Sequence, residues 1–398
     1  MHHLRISIIL HRRRLSESSS WIVCAAERHV YKVERSMGIK MTVKQAVKSA
    51  IFIIIFIYIL LTVTYIIRTN GDVKDRFAGF YAEPKDTIDV VMIGSSPVYP
   101  YYSTPQMWGE YGITAYPISS NLQRPVAGVY MVDEVRKTQN PSLYVFEMRM
   151  YTASEIDLTN NMAYTRGVTD NMKYSWNRIK TINAMVEEPS ERYTYYFDIF
   201  KYHSNWKTIV LPKQLACFRY ELLDGQKGYV MTDEVGPCEA VDTSAITGKA
   251  PMPEEQEQHL YELLDYLKEE KLQALFILSP TVMEEEKQMM YNYMTDIIES
   301  YGYEFLNMND HYEEIGLDFA SDFSDYGGHT NALGAKKCTS FLTDYVTSNY
   351  SLKDKRGDDR YAKWDAAYEQ WKSSYEEAAQ TIAGRIERGD FAEVTAEE

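Results

Sequence analysis

From Ser49 to Ile67 the chain reads "SAIFIIIFIYILLTVTYII", 19 residues without a charge. Roughly 20 apolar residues are what a helix needs to cross a ~30 Å hydrocarbon core. A core helix of this length would carry a polar stripe. This run has none, so the sequence predicts a membrane-spanning anchor. The segment after it, "RTNGDVKDRF", is polar and charged and lacks a small-residue cleavage site, so the anchor is expected to stay uncleaved. Lys32, Arg35, Lys40, Lys44 and Lys48 precede the span, and Arg68, Lys74, Arg76 and Lys85 follow it. With Arg12–Arg14 further back, this slight excess leans towards an internal N-terminus. The expectation is a single-pass protein of the cell membrane with its body outside the cytoplasm. Residues 1–36 look unlike the rest, and "MGIKMTVKQAVKSA" reads as a natural start, at Met37 or Met41.

The formal net charge of −15 hides a split. The first 49 residues hold ten Lys/Arg and three Asp/Glu, leaving 32 basic and 54 acidic residues, a net of −22, for the remainder. So acidic a body is a poor partner for nucleic acid, where affinity comes from neutralising phosphates. Hydrophobic content of 45% over 398 residues suits a folded α/β body. Four cysteines are too few for a disulfide scaffold. Cys217 and Cys238 would bridge in an oxidising compartment, or stand as two buried thiols. The eight histidines and four cysteines never cluster at ligand spacing, so neither a metal nor another cofactor is expected.

Beyond the anchor, Asp72–Tyr81 reads as a short amphipathic connector. "DTIDVVMI" (86–93), "GITAYPI" (112–118), "SLYVFEM" (142–148), "LQALFILSP" (272–280) and "YEFLNMN" (303–309) read as strands. Between or after them lie helical patterns at 126–138, 253–271, 285–302 and 332–350. The alternation predicts βαβ units and a parallel sheet flanked by helices. Residues 151–255, rich in Tyr, Asn, Thr and Trp, read as a helical insertion. The body is thus expected at 72–350, after a cytoplasmic segment 1–48 and the anchor 49–67. Residues 351–398 form a helical tail whose Trp364, Tyr368, Trp371 and Tyr375 mark a docking stripe.

Chemistry is suggested at the two ends of this sheet. Gly94-Ser95-Ser96 follows the first strand, and "DFSDYGGHTN" precedes the last helix. Both segments would meet at the carboxyl edge, where open α/β sheets place their sites. A serine hydroxyl is a poor nucleophile until an imidazole takes its proton, and the imidazole needs a carboxylate to orient it. Ser96 with His329 and either Asp325 or Asp322 would supply that set. Glu147 and Arg149, just past the third strand, are expected to pair with each other or with their turn.

"VVMIGSSPVY", followed much later by "DFSDYGGHTNALGAKK", resembles the SGNH (GDSL-type) hydrolase and acyltransferase superfamily. The nearer likeness is to its membrane-anchored branch, which includes teichoic-acid D-alanylation and alginate O-acetylation proteins. The resemblance spans residues 86–346, is specific at its two end blocks, and implies an SGNH/flavodoxin-like fold. Ser96 matches the nucleophile, and Asp325, His329, Asn331, Gly334 and Ala335 match the second block. It further implies oxyanion donors near Ser119 or Asn121, and substrate-side roles for His203 and Trp206 in "FDIFKYHSNW", which would otherwise pack inside the insertion. The implied activity is acyl transfer or ester hydrolysis on a cell-envelope glycan, beside a multi-span O-acyltransferase. A carbohydrate O-acetylesterase and a non-catalytic envelope-assembly protein are the rivals. Three positions depart from the pattern: Pro97 stands where relatives often carry His, one extra residue separates Asp325 from His329, and no oxyanion glycine is evident.

Overall fold

The computed structural model describes residues 41–221 and 225–393. The expectations for residues 1–40, including a start at Met37, lie outside the described residues. The chain divides into two compact units at Thr62–Val63, within one helix, Val43–Ile67. That helix is long and apolar enough to cross a membrane, and its side chains from Ile51 to Ile59 stand exposed.

The unit from Val63 onward is built on five parallel strands: β1 Val90–Gly94, β2 Ala115–Ser119, β3 Leu143–Glu147, β4 Ala274–Leu278 and β5 Glu304–Asn307. Their order is β2-β1-β3-β4-β5, the flavodoxin-type doubly wound order. Strands covered on both faces need continuous apolar sequence, and β2, β3 and β4 are buried along their whole length. Val91 and Ile93 of β1 pack on one face with Val132 and Leu263 from the helices Gly128–Val135 and Glu254–Glu269. Val90 and Met92 pack on the other with Leu342 and Val346 of the helix Ala332–Asn349.

The first strand begins later than its apolar run suggests. The N–H groups of Thr87 and Ile88 donate to Gln139 Oε1 at 3.0 and 3.2 Å, and Asp86 has φ 57°. Those residues form a side-chain-capped turn before the ladder starts at Val90. The second strand is likewise displaced, because Gly112 at φ 76° closes the preceding helix.

The tail stripe is buried against the body. Along the helix Ala362–Arg388, Trp364 and Trp371 are 2% and 3% exposed. Trp364 packs near Trp108 and donates its Nε1–H to Glu83 Oε2 at 3.2 Å. Trp371 clusters with Tyr229 and Ala335. The insertion is a set of short helices from Glu155–Thr159 to Leu211–Arg219. A buried charge cluster joins it to the chain just past the long helix: Asp198, wholly buried, accepts from Arg68 Nε at 2.8 Å and Arg178 Nη2 at 3.0 Å. Buried charges persist only when paired in this way. Cys217 and Cys238 are both free thiols, so the bridge between them is not formed.

Candidate active site

In this order β2 lies on one side of β1 and β3 on the other, and the crevice at such a reversal lies beyond the carboxyl ends of β1 and β3. Gly94 closes β1 there. A Cβ at this position would stand 2.7 Å from Glu147 Cβ and 2.8 Å from Val98 Cγ2, so only glycine fits between β3 and the following turn. Ser95 is buried, its hydroxyl enclosed without a partner. Ser96, half-buried, reaches the rim.

The second half of the site comes from the loop before the helix Ala332–Asn349. Asn331 caps this helix, accepting from Leu333 N–H at 3.0 Å and donating to Ser321 O at 2.7 Å. Such a cap satisfies amides that the first turn leaves without partners. The loop enters the cap through Tyr326 at φ 64° and Gly327 at φ 104°. These two left-handed residues take up the extra position between Asp325 and His329. The Gly328 carbonyl accepts from Arg149 Nη1 at 2.6 Å and from the Tyr101 hydroxyl at 3.0 Å, holding the peptide that leads into His329.

The loop and the strand end meet in one hydrogen-bonded chain. His329 Nε2 lies 2.8 Å from Ser96 Oγ, and Nδ1 lies 2.5 Å from Asp325 Oδ2. The His329 and Asp325 side chains are 17% and 35% exposed, so the chain is partly shielded yet reachable from solvent. Burial alone would raise the Asp325 carboxyl. The hydrogen bond from the imidazole, its charge and the His329 N–H outweigh burial and bring Asp325 below its ordinary value. An ionised carboxylate on Nδ1 fixes the tautomer that leaves Nε2 as acceptor for the Ser96 proton.

Asp322 lies apart from this chain. It is wholly buried, accepts from Asp318 N–H at 2.7 Å and pairs with Lys337 Nζ at 2.6 Å. Its carboxylate braces the loop rather than the imidazole. Ser119 sits beside Gly94 in the β1–β2 register, its hydroxyl enclosed and unpartnered. Asn121 is exposed and accepts the Tyr99 hydroxyl at 2.8 Å. It lines a cavity of about 450 Å³ whose walls also include Arg68, Arg166 and Tyr202. Pro97, directly after Ser96, has no N–H to offer an oxyanion.

Of the two readings of His203 and Trp206, packing inside the insertion is not found, because both stand at the surface. His203 ends the short helix Ile199–Tyr202 on the surface, and Trp206 is 65% exposed. Glu147 and Arg149 do not form an ion pair: the Arg149 N–H bonds Glu147 Oε2 at 3.2 Å, while its guanidinium turns to Gly328. Burial pushes the Glu147 carboxyl up, against the opposing effect of Arg149.

Sequence reasoning missed Tyr101 and Arg149 as braces of the His329 loop. The signal was a cluster of tyrosines directly after Gly-Ser-Ser, with an arginine just beyond a neighbouring strand. Among the described residues no group of three or more His, Cys, Asp and Glu is placed to hold a metal ion. A scan against protein-family models finds no match for the chain, and a search of curated proteins finds none either.

Proposed function

We propose that this chain carries out serine-dependent acyl chemistry of the SGNH type, forming an acyl-enzyme on Ser96. The observation that carries the reading is the Ser96–His329–Asp325 chain, joined across 233 residues of sequence at the carboxyl edge of a parallel sheet. In the proposed step Ser96 Oγ attacks an ester carbonyl as its proton moves to His329 Nε2. The imidazolium, stabilised by Asp325, then protonates the leaving alkoxide, and the ester C–O bond breaks. Water or a sugar hydroxyl then attacks the acyl carbon as its proton moves to Nε2; the bond from the acyl carbon to Ser96 Oγ breaks, and Nε2 returns that proton to Ser96. An apolar helix ahead of the folded unit agrees with a membrane-anchored enzyme whose body faces the cell envelope. Its substrate would be an envelope glycan or acyl donor, with a multi-span O-acyltransferase as partner.

Fluorophosphonate labelling of the full-length protein tests this. The expected result is labelling of the wild type and of Ser95→Ala, and none of Ser96→Ala. An unlabelled but folded wild type would overturn it. The competing reading, a binding platform without turnover, draws on Pro97, which removes the amide donor that would follow the nucleophile.

A further inference from the structure

The cavity of about 450 Å³ that Asn121 helps to line lies at the carboxyl edge of the sheet, near Ser96. Its volume falls within the roughly 300–1,000 Å³ usual for small-molecule sites. Asn121 follows Ser119, which pairs with Gly94 in the β1–β2 register. Tyr99, also in the lining, is three residues beyond Ser96, so their Cα atoms stand at most about 11 Å apart. The insertion supplies further walls through the helix Met162–Thr169, where a Cβ on Gly167 would lie 3.2 Å from Ser120 Cβ.

The buried charges around this cavity do not cancel. Arg68, Arg166, Arg178 and Lys74 are each 5% exposed or less, and so are Asp170 and Asp198. Asp198 accepts from Arg68 and Arg178, and Asp170 accepts from Arg166 Nη1 at 3.1 Å. Lys74 Nζ donates only to neutral acceptors: Gln214 Oε1 at 2.8 Å and the carbonyls of Arg68 and Tyr65. Four cations thus meet two carboxylates, and among the described residues no further carboxylate forms an ion pair with them. Asp75 is taken by Lys213, and on the rim the exposed Lys201 and Asp72 offset each other. Arg68 Nη1 and Arg166 Nε, in two residues of the cavity wall, have no hydrogen-bond partner, although buried donors nearly always find one. The rings of Tyr65 and Tyr174 lie 5.0 and 5.1 Å from the Arg68 guanidinium carbon, but an aromatic face replaces only part of a missing anion.

We propose that this cavity seats a phosphate monoester borne by the substrate, a role that rests on Ser96 being the nucleophile. A phosphate monoester carries about −1.5 to −2 charge at neutral pH and so answers an excess of two positive charges, whereas a carboxylate supplies one. Guanidinium groups are the donors best suited to such oxygens. The dianion also favours the charged form of Lys74, which burial draws down to about 8. In a body of net charge −22 beyond residue 49, the cluster is a local reversal of sign that sorts an anionic group into this cavity.

Calorimetric titration of the full-length protein at neutral pH with inorganic phosphate, glucose 1-phosphate and glucuronate tests the assignment. Both phosphates are expected to bind, and more tightly than glucuronate. Lys201→Glu is expected to weaken that binding about 3- to 10-fold, the scale of reversing one exposed charge. Arg68→Lys keeps a charge opposite Asp198, loses the unpartnered Nη1 and is expected to weaken it as well. Should that buried variant fail to fold, Lys201→Glu, at an exposed position, decides. Glucose 1-phosphate is further expected to slow fluorophosphonate labelling of Ser96 at the concentrations at which it binds. A folded wild type that binds neither phosphate, prefers glucuronate, or binds equally well in Lys201→Glu overturns the phosphate site. Binding that leaves the labelling rate unchanged overturns its tie to Ser96. Binding by a protein that is never labelled overturns Ser96 as nucleophile while the phosphate site stands.

Discussion

Arg149 donates from its guanidinium to the carbonyl of Gly328, the residue directly before His329, at 2.6 Å. The contact joins the carboxyl end of β3 to the loop that carries the imidazole, so the position of Nε2 relative to Ser96 depends on a residue touching neither. Arg149→Lys is expected to slow fluorophosphonate labelling of Ser96 about 10- to 100-fold, the scale of a small misplacement of reacting groups. Arg149→Gln is expected to move the acid limb of labelling to higher pH, because the arginine charge helps hold Asp325 down. A purely structural role would leave the pH profile in place.

Asp325 and Asp322 are expected to separate cleanly. Asp322→Ala removes a buried carboxylate from Lys337 and the Asp318 amide and is expected to cost about 1.5–3 kcal/mol, measured by urea unfolding. Its labelling rate per folded molecule stays near that of the wild type. Asp325→Ala is expected to show the reverse, with slow labelling and a smaller loss of stability.

The depressed Asp325 carboxyl links stability to pH. Its folded value lies below its unfolded value of about 3.9, so the contribution is complete above that value and is lost as pH falls through the folded one. The gap in melting temperature between the wild type and Asp325→Asn is therefore expected to hold steady from pH 7 to about 5 and shrink below about 4. A gap that widens on acidification would contradict the assignment.

Gly94→Ala places a methyl against Glu147 and Val98 at contacts below 3 Å. Overpacking of this kind costs about 1–3 kcal/mol. Chemical denaturation is expected to show that loss, with slower labelling as Ser96 is displaced.

Trp364→Ala removes a buried indole that packs near Trp108 and bonds Glu83. Large-to-small changes at such sites cost about 3–5 kcal/mol. Thermal melting of the full chain measures it.

The alternation of apolar runs with helical periodicity carried the sheet and its helices, because both periods are written locally. Ser96 and His329 stood out for a similar reason: each lies where a regular pattern is broken. The choice between Asp325 and Asp322 was not legible, since it turns on the backbone path through Tyr326 and Gly327, which spacing alone leaves open. The Arg149–Gly328 contact joins residues 179 positions apart, and no local pattern announces it. Whether Trp206 faces outward or packs inside the insertion was left open, since that turns on which distant elements cover its segment; it stands 65% exposed.

The Tyr326 hydroxyl donates to the Ala392 carbonyl at 2.7 Å, and the Ala392 N–H bonds Val235. The loop holding His329 is therefore fastened by nearly the last described residues of the chain. During synthesis Ser96 emerges early, and the imidazole that would activate it arrives more than two hundred residues later. A nascent chain thus carries Ser96 without its imidazole neighbour, and the two meet only once residues near Ala392 have been made and have folded back onto the loop.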